Sequence, residues 1–323
     1  MMRLGILSTA RINRLVIPGA RESDRVEVAA VASRDQARAE EYAAEHGIGR
    51  AHGSYEALLA DDEVDAVYIS LPNSMHVEWS VRALEAGKHV LCEKPLSRHP
   101  ADVERAFDAA DRAGRSLTEA FMYRHNPQTA RLKQLVDGGE IGELRVIRAV
   151  FSFTVTDEAN IRLAADLEGG ALMDVGCYCV SASRLLAGEP ERVYGVAVEE
   201  RGVDTAFAGT LEFGGGVTAQ FDCGFRLPMR DELEAVGTEG SVFLDDPWHA
   251  RRPVIELRRD GETSEIALDT VNSYRLEVED LADAIAGETE PLLGRDDALG
   301  QARAIDALYR SAAAGEPVAS ART

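Results

Sequence analysis

Met2-Arg3-Leu4-Gly5-Ile6-Leu7-Ser8-Thr9-Ala10-Arg11-Ile12-Asn13 is the stretch on which the reading of the fold turns. A short apolar run, Arg3–Leu7, ends in small residues and passes into a segment that can start a helix. Ser8, Ala10 and Asn13 stand at the three glycine positions of a G-x-G-x-x-G turn. A phosphate that approaches the backbone of such a turn needs small residues at the first two positions, and Ser8 and Ala10 are small. Ser8, Thr9, Ala10, Arg11 and Ile12 are therefore candidates for binding a nucleotide. The turn alone fits any strand-to-helix connection, so its surroundings must decide.

Outward from it, Val26–Ala32, Ala66–Ser70, His89–Cys92 and Ser116–Thr118 are also short, apolar and rich in β-branched residues, as strands are. Helical periods separate them: Asp35–His46, Ser74–Ala86 with Asn73 or Ser74 as N-cap and Gly87 as the stop, and Pro100–Ala113 ended by Gly114. Strands alternating with helices predict right-handed crossovers and a doubly wound parallel sheet, a Rossmann-type α/β domain over residues 1–121.

The pattern then changes. A helix over Pro127–Val136 and the turn Asp137-Gly138-Gly139 lead into Glu143–Phe153, which alternates like a long strand. A helix is predicted over Ala171–Leu186. Val193–Glu199, Thr205–Phe213, Val217–Phe225, Arg230–Val236, Ser241–Leu244 and Val254–Leu257 follow as strands, and helices close the chain near Tyr274–Ala286 and Asp297–Ala313. Strand after strand with few helices between them predicts an α+β domain over residues 122–323, built on a large, mainly antiparallel open sheet.

The 323 residues suit two domains, and 45% hydrophobic content supplies ordinary cores. A net charge of −21 argues against nucleic acid and anionic membrane surfaces as partners. Apolar runs fall short of the roughly 20 residues that span a bilayer. The first residues reach the first strand too soon for a signal peptide, so the cytoplasm is the expected compartment. Cys92, Cys177, Cys179 and Cys223 lack C-x-x-C spacing, and the seven histidines form no ligand motif; buried thiols and no metal are expected.

The second strand ends at Ser33-Arg34-Asp35. A carboxylate at the strand end would hold both ribose hydroxyls of NAD, whereas a hydroxyl and a guanidinium suit the 2′-phosphate of NADP. Ser33 and Arg34 favour NADP, with NAD as the alternative. Arg34 as a plain surface arginine opposes this, although a cation is disfavoured at a helix start.

Three further segments carry a more specific message: Leu71-Pro72-Asn73-Ser74-Met75-His76, then Gly87-Lys88-His89-Val90-Leu91-Cys92-Glu93-Lys94-Pro95, then Gly169-Gly170-Ala171-Leu172-Met173-Asp174-Val175-Gly176-Cys177-Tyr178. In this order they resemble the glucose-fructose oxidoreductase/inositol dehydrogenase family (Gfo/Idh/MocA) along essentially the whole chain. The Tyr178 form resembles the branch with NADP-dependent xylose dehydrogenases and dimeric dihydrodiol dehydrogenases. The resemblance implies hydride transfer between a nicotinamide and a sugar, polyol or cyclic diol, and a homodimer paired through the open sheet. It also implies that Pro95 shapes the backbone near the nicotinamide, that Glu93 supports the cofactor, and that Leu71, Pro72, Asn73 and His76 line its pocket.

The chemistry of these residues is coherent by itself. Oxidation of an alcohol removes a hydroxyl proton as hydride leaves carbon, so a base must stand within hydrogen-bond reach. Tyrosine, with a reference pKa near 10, needs a neighbouring ammonium to act at neutral pH. Lys94 is one of only three lysines among 35 lysines and arginines, and it lies at the carboxyl end of a parallel strand, where doubly wound sheets bind ligands. Asp174 and Tyr178, at i and i+4, share one side of a regular helix. The reading assigns Tyr178 as general acid/base, Lys94 as the group that orients substrate and lowers the Tyr178 pKa, and Asp174 as a ligand for a substrate hydroxyl. Asp174 as a simple helix-start carboxylate, and Asn73 as a simple cap, remain open.

Arg124 is an even choice between a contact to substrate or cofactor and an interdomain salt bridge, and His125 reads as structural. Asn160 and Arg162 can reach substrate from a loop, although Arg162 also reads as an ordinary surface residue; Phe151 and Phe153 read as packing residues. Two rivals stand beside this reading: a nucleotide-binding sensor without turnover, and a dehydrogenase of a non-sugar ketone or imine.

Overall fold

The computed structural model describes residues 1–320. Two compact units emerge, Met1–Met122 with Asn272–Leu299, and Tyr123–Val271 with the chain from Gly300 on. This corrects the simple division at 121/122. The segment from Asn272 to Leu299 returns to the N-terminal unit.

In the first unit the order is β1 (Met2–Leu7), α1 (Asn13–Arg21), β2 (Val26–Ala32), α2 (Gln36–His46), β3 (Arg50–His52), α3 (Tyr55–Leu59), β4 (Ala66–Ile69), α4 (His76–Glu85), β5 (His89–Glu93), α5 (Pro100–Ala113) and β6 (Leu117–Ala120). The strands form a six-stranded parallel sheet in the order β3-β2-β1-β4-β5-β6. The order reverses between β1 and β4, and the carboxyl ends at such a switch point are where these sheets hold ligands. Leu4, Ile6, Val31, Tyr68 and Leu91 meet Val16 and Ile17 of α1 in one buried core, to which the helix α8 (Ser273–Ala286) adds Val278 and Leu281. α8 thus supplies a cover that the N-terminal residues alone lack. β3 and α3 were not expected, because a three-residue edge strand carries too little pattern to be read.

The second unit contains α6 (Pro127–Asp137), β7 (Leu144–Thr154), a π-helical turn (Leu172–Gly176) that runs into α7 (Cys177–Ala187), and then β8 (Arg192–Glu200), β9 (Val203–Glu212), β10 (Thr218–Gly224), β11 (Arg226–Gly237), β12 (Gly240–Leu244), β13 (Val254–Arg259) and β14 (Glu262–Ala267). The helix α9 (Arg295–Ala314) precedes β15 (Val318–Ala319). The nine-stranded sheet has the order β14-β13-β12-β11-β7-β10-β9-β8-β15, antiparallel except where β10 runs parallel to β7. Ile147, Ala149 and Phe151 of β7 are buried on the face that carries the π turn and α7. On the strand nearest the β15 edge, Tyr194, Val196 and Val198 are 39%, 49% and 56% exposed. That alternation leaves an apolar strip in water. Among the described residues no helix is long and apolar enough to cross a membrane.

Candidate active site

In the first unit the β1–α1 turn performs without glycine what the fingerprint usually performs with it. Ser8 has φ of 137°, a conformation that L side chains rarely adopt. A buried hydrogen-bond network holds it there. Ser8 Oγ lies 2.8 Å from Ser70 Oγ and accepts from the Ala10 amide at 3.0 Å. Asn13, fully buried, donates from Nδ2 to the Ser8 carbonyl at 2.9 Å and accepts from Ser70 Oγ at 2.7 Å. Thr9, Ala10 and Ile12 are half-buried, Arg11 is exposed, and the first turn of α1 carries no acidic residue. A helix start free of carboxylates, beside a strained turn of small residues, fits an anionic pyrophosphate.

At the end of β2, Ser33 is buried and its Oγ accepts from the Asp35 amide at 3.4 Å. Asp35 is spent as the N-cap of α2, accepting from the Arg38 amide at 2.8 Å. Arg38 Nε donates to Thr9 Oγ1 at 2.9 Å, and both Arg34 and Arg38 act on the Tyr55 hydroxyl, whose pKa burial raises and they lower. Two guanidiniums thus act together at the end of β2. Arg38 was missed. Its position four residues after Arg34, on the same side of a helix start, was the available signal.

Beyond β4, Leu71 is buried while Pro72 and Asn73 are half-buried. A 3₁₀ turn over Asn73–Met75 intervenes before α4, whose N-cap position is taken by Met75 instead of Asn73 or Ser74. His76 is fully buried, with Nδ1 at 2.9 Å from the Pro95 carbonyl and Nε2 at 2.8 Å from the Leu71 carbonyl. Its ring stands between the two loops that follow β4 and β5. Burial lowers its pKa although both carbonyl contacts raise it, and the neutral ring, with a single N–H, donates to only one of the two carbonyls. Glu93 and Lys94 are half-buried, the Lys94–Pro95 peptide is cis, and Glu93 Oε1 accepts from the Tyr68 hydroxyl at 2.5 Å.

In the second unit Tyr178 is only 7% exposed. Its ring lies among Tyr123, Phe151 and Trp248, with centroid separations of 5.6, 5.5 and 5.7 Å. Trp248 is held by a 3.2 Å bond from its indole to the Val150 carbonyl. Such a wall fixes the ring and lowers the dielectric around the phenol. Arg124 reaches Ser181 Oγ of α7 at 3.4 Å, and Tyr123 donates to the same oxygen at 2.7 Å. Burial pushes His125 down to about 4, which keeps it neutral.

The loop residues Asn160 and Arg162 do belong with Asp174. Asn160 Oδ1 accepts from the Arg162 amide at 3.1 Å, and Arg162 Nε lies 2.5 Å from Asp174 Oδ2. The Gly169-Gly170 pair makes this possible. A Cβ on Gly169 would lie 2.4 Å from the Arg162 carbonyl, and Gly170 has φ of 128° with Asp204 against it. Asp204 Oδ2 in turn accepts from the Leu172 amide at 2.7 Å, holding the start of the π turn. That turn replaces the regular helix expected through Asp174, and single π turns recur at functional sites. The fold also gathers Asp231, Asp246 and His249, which no sequence spacing announces. Arg251 bonds both carboxylates, at 3.2 and 2.9 Å, and already supplies the positive charge that the trio would otherwise seek.

Comparison with known proteins accords with this geometry. The model described as an oxidoreductase family with an NAD-binding Rossmann fold matches residues 2–121, and that of the GFO/IDH/MocA C-terminal domain matches residues 129–243. The chain is 44% identical to D-xylose 1-dehydrogenase (NADP(+)) 2 of Haloferax volcanii, over 98% of this chain and 99% of that protein. Among solved structures, the aldose-aldose oxidoreductase of Caulobacter crescentus superposes with a TM-score of 0.91 at 29% identity, covering 98% of this chain and 99% of that one. KijD10, a 3-ketoreductase of Actinomadura kijaniata in complex with NADP and TDP-benzene, gives a TM-score of 0.91 at 33% identity, with 96% and 97% covered. The chain belongs to the GFO/IDH/MocA family, as a nicotinamide-dependent oxidoreductase acting on CH–OH groups.

Proposed function

We propose that this protein is an NADP-preferring dehydrogenase of a sugar hydroxyl, with C1 of an aldopyranose as the favoured position and a lactone as the product. The observation that carries the cofactor preference is the end of β2, where Arg34 and Arg38 stand together and Asp35 is turned away into a helix cap. A 2′-phosphate gains charge-assisted bonds there, and no carboxylate repels it. The substrate class draws support from the 44% identity to an NADP-dependent D-xylose dehydrogenase.

The β1–α1 turn with Ser8 and Ala10, and Arg34 and Arg38 at the end of β2, would hold a nicotinamide dinucleotide, which would supply the acceptor for hydride, with its electron pair, leaving the carbinol carbon. The chain's own groups manage the proton and the hydroxyls. Tyr178 takes the hydroxyl proton as the carbonyl forms, and Lys94 supplies the ammonium that favours the phenolate. Asp174, held by Arg162, accepts from a neighbouring hydroxyl and orients the ring. In the reverse direction the same groups reduce a ketone, the activity named for KijD10. The exposed strip at Tyr194, Val196 and Val198 fits burial against a second copy of the chain, giving a homodimer that sedimentation would reveal.

The test is a screen of NADP and NAD against aldoses, inositols and trans-dihydrodiols, following near-ultraviolet absorption of the reduced nicotinamide. A clear rate with aldoses and NADP supports the reading. Activity confined to diols, or to keto sugars with reduced cofactor, would replace the substrate; silence across the panel with cofactor bound would point to a non-sugar ketone or imine.

A further inference from the structure

Glu277 lies on the face of α8 that also buries Ser273, Val278 and Leu281. Val278 and Leu281 share one core with Tyr68 of β4 and Leu91 of β5, so this face of the helix is turned to the sheet. Leu91 and Glu93, two apart on β5, point to the same side. Glu277 is 1% exposed, and neither of its carboxyl oxygens has a hydrogen-bond partner. The groups that face it are themselves acidic: Glu93 at the end of β5, Tyr68 on β4, and Tyr274 and Asp280 on α8. Burial, then the charge of Glu93, hold Glu277 far above the usual carboxylate range.

An ionised carboxylate in that setting would be strongly disfavoured, so Glu277 is a neutral acid. A neutral acid with unmet polar atoms is still a poor core residue, and an apolar side chain of similar size would be more stable there. Its presence conflicts with packing at one place in the unit, directly behind the Glu93-Lys94-Pro95 end of β5. Residues that break a local rule in this way concentrate at functional sites.

We propose that Glu277 is a positioning residue for that strand end: its buried, unpartnered carboxyl stands behind Glu93 and fixes how Glu93 and Lys94 meet the cofactor. This rests on the reading of the β5 end as a cofactor and catalytic element. Loss of the carboxyl relaxes the wall behind Glu93, whereas an amide of the same shape preserves it.

The experiment compares Glu277→Leu and Glu277→Gln in the full chain, by melting temperature, cofactor fluorescence titration, and the split between cofactor KM and kcat. Glu277→Leu is expected to melt a few degrees higher while its cofactor KM rises about tenfold, as the strand end shifts on the altered wall behind it. Glu277→Gln is expected to stay within about twofold of the parent in KM, since it keeps the neutral polar shape. Infrared difference spectra should show a protonated-carboxyl band in the parent that is missing from Glu277→Gln. A more stable Glu277→Leu with unchanged cofactor binding would overturn the proposal, as would equal KM losses in both variants or an absent carboxyl band. Lys94→Ala run in parallel separates the two readings. Normal turnover in that variant removes the catalytic reading of the strand end, whatever the Glu277 variants show.

Discussion

Arg162 and Asp174, twelve residues apart, form an ion pair with Nε 2.5 Å from Oδ2. Asp174 is 17% exposed and Arg162 is 39% exposed at the side chain, and the guanidinium also lies 5.6 Å from the centre of the Phe153 ring. The pair is anchored at both ends: Gly170 donates to the Arg162 carbonyl at 2.9 Å, and the Asp174 amide donates to the Gly170 carbonyl at 3.0 Å. An aspartate at a helix start needs no such partner to be stable, so the pairing favours a role in orienting a ligand. Asp174→Asn should raise substrate KM about 10- to 100-fold, the worth of a hydrogen bond to a charged group, with cofactor affinity unchanged. Arg162→Ala should follow in the same direction. A loss of cofactor affinity equal to the loss for substrate would sink the assignment.

Tyr178 is fixed by three aromatic neighbours, so removing its hydroxyl need not disturb the wall. Tyr178→Phe should fold normally and lose about 10²- to 10⁴-fold in kcat, the range for a general acid/base. Lys94→Ala should lower kcat more than cofactor affinity and move the acidic limb of the oxidation rate profile to higher pH, because the phenol loses the ammonium that favours its ionised form. An unaltered profile in Lys94→Ala would leave the phenol to another activator.

Much of this architecture was readable because its signals are local. β2 and α5 fall at the predicted residues, and Gly114 adopts the left-handed φ of 61° that a helix stop requires. β14 was missed because Glu262–Ala267 is exposed at five of six positions and has no buried face to show. α8 was read as a helix but placed with the wrong unit, since an amphipathic pattern reports a buried face without naming its partner. The same limit governs the site. Lys94, Asp174 and Tyr178 stand in contiguous motifs, whereas Ser70, Trp248, Asp204 and Glu277 acquire their roles only through contacts made across long stretches of chain. The helix through Asp174 was read as regular, because nothing in Leu172–Gly176 distinguishes a π turn from an α turn.

The end of β2 makes a prediction about cofactor choice. Each guanidinium that meets a 2′-phosphate contributes a charge-assisted bond, and NAD offers no such group. Arg34→Ala and Arg38→Ala should each weaken NADP about tenfold or more and leave NAD nearly unchanged, measured by fluorescence titration. Arg38→Ala also loses its bond to Thr9 Oγ1, so a small common loss for both cofactors is expected there. Equal, large losses for NADP and NAD in both variants would refute recognition of the phosphate.

Asp204 makes a prediction about stability and pH. Burial raises its pKa from 3.8 to about 6, against the lowering effect of its bonds from the Leu172 amide and the Tyr309 hydroxyl. The folded protein therefore binds more protons than the unfolded chain between those two values, so this group makes stability fall as pH rises from about 4 to about 6. Above that window the deficit is constant, on the order of 3 kcal/mol for a shift of this size. Asp204→Asn keeps an oxygen for the Leu172 amide and a nitrogen for the Tyr309 hydroxyl, and it does not titrate. Urea unfolding on both sides of the window should show the parent losing stability relative to Asp204→Asn as pH rises. A parent that gains on the variant with rising pH would mean that the fold stabilises the Asp204 carboxylate, and that the bonds from the Leu172 amide and the Tyr309 hydroxyl outweigh burial at the start of the π turn.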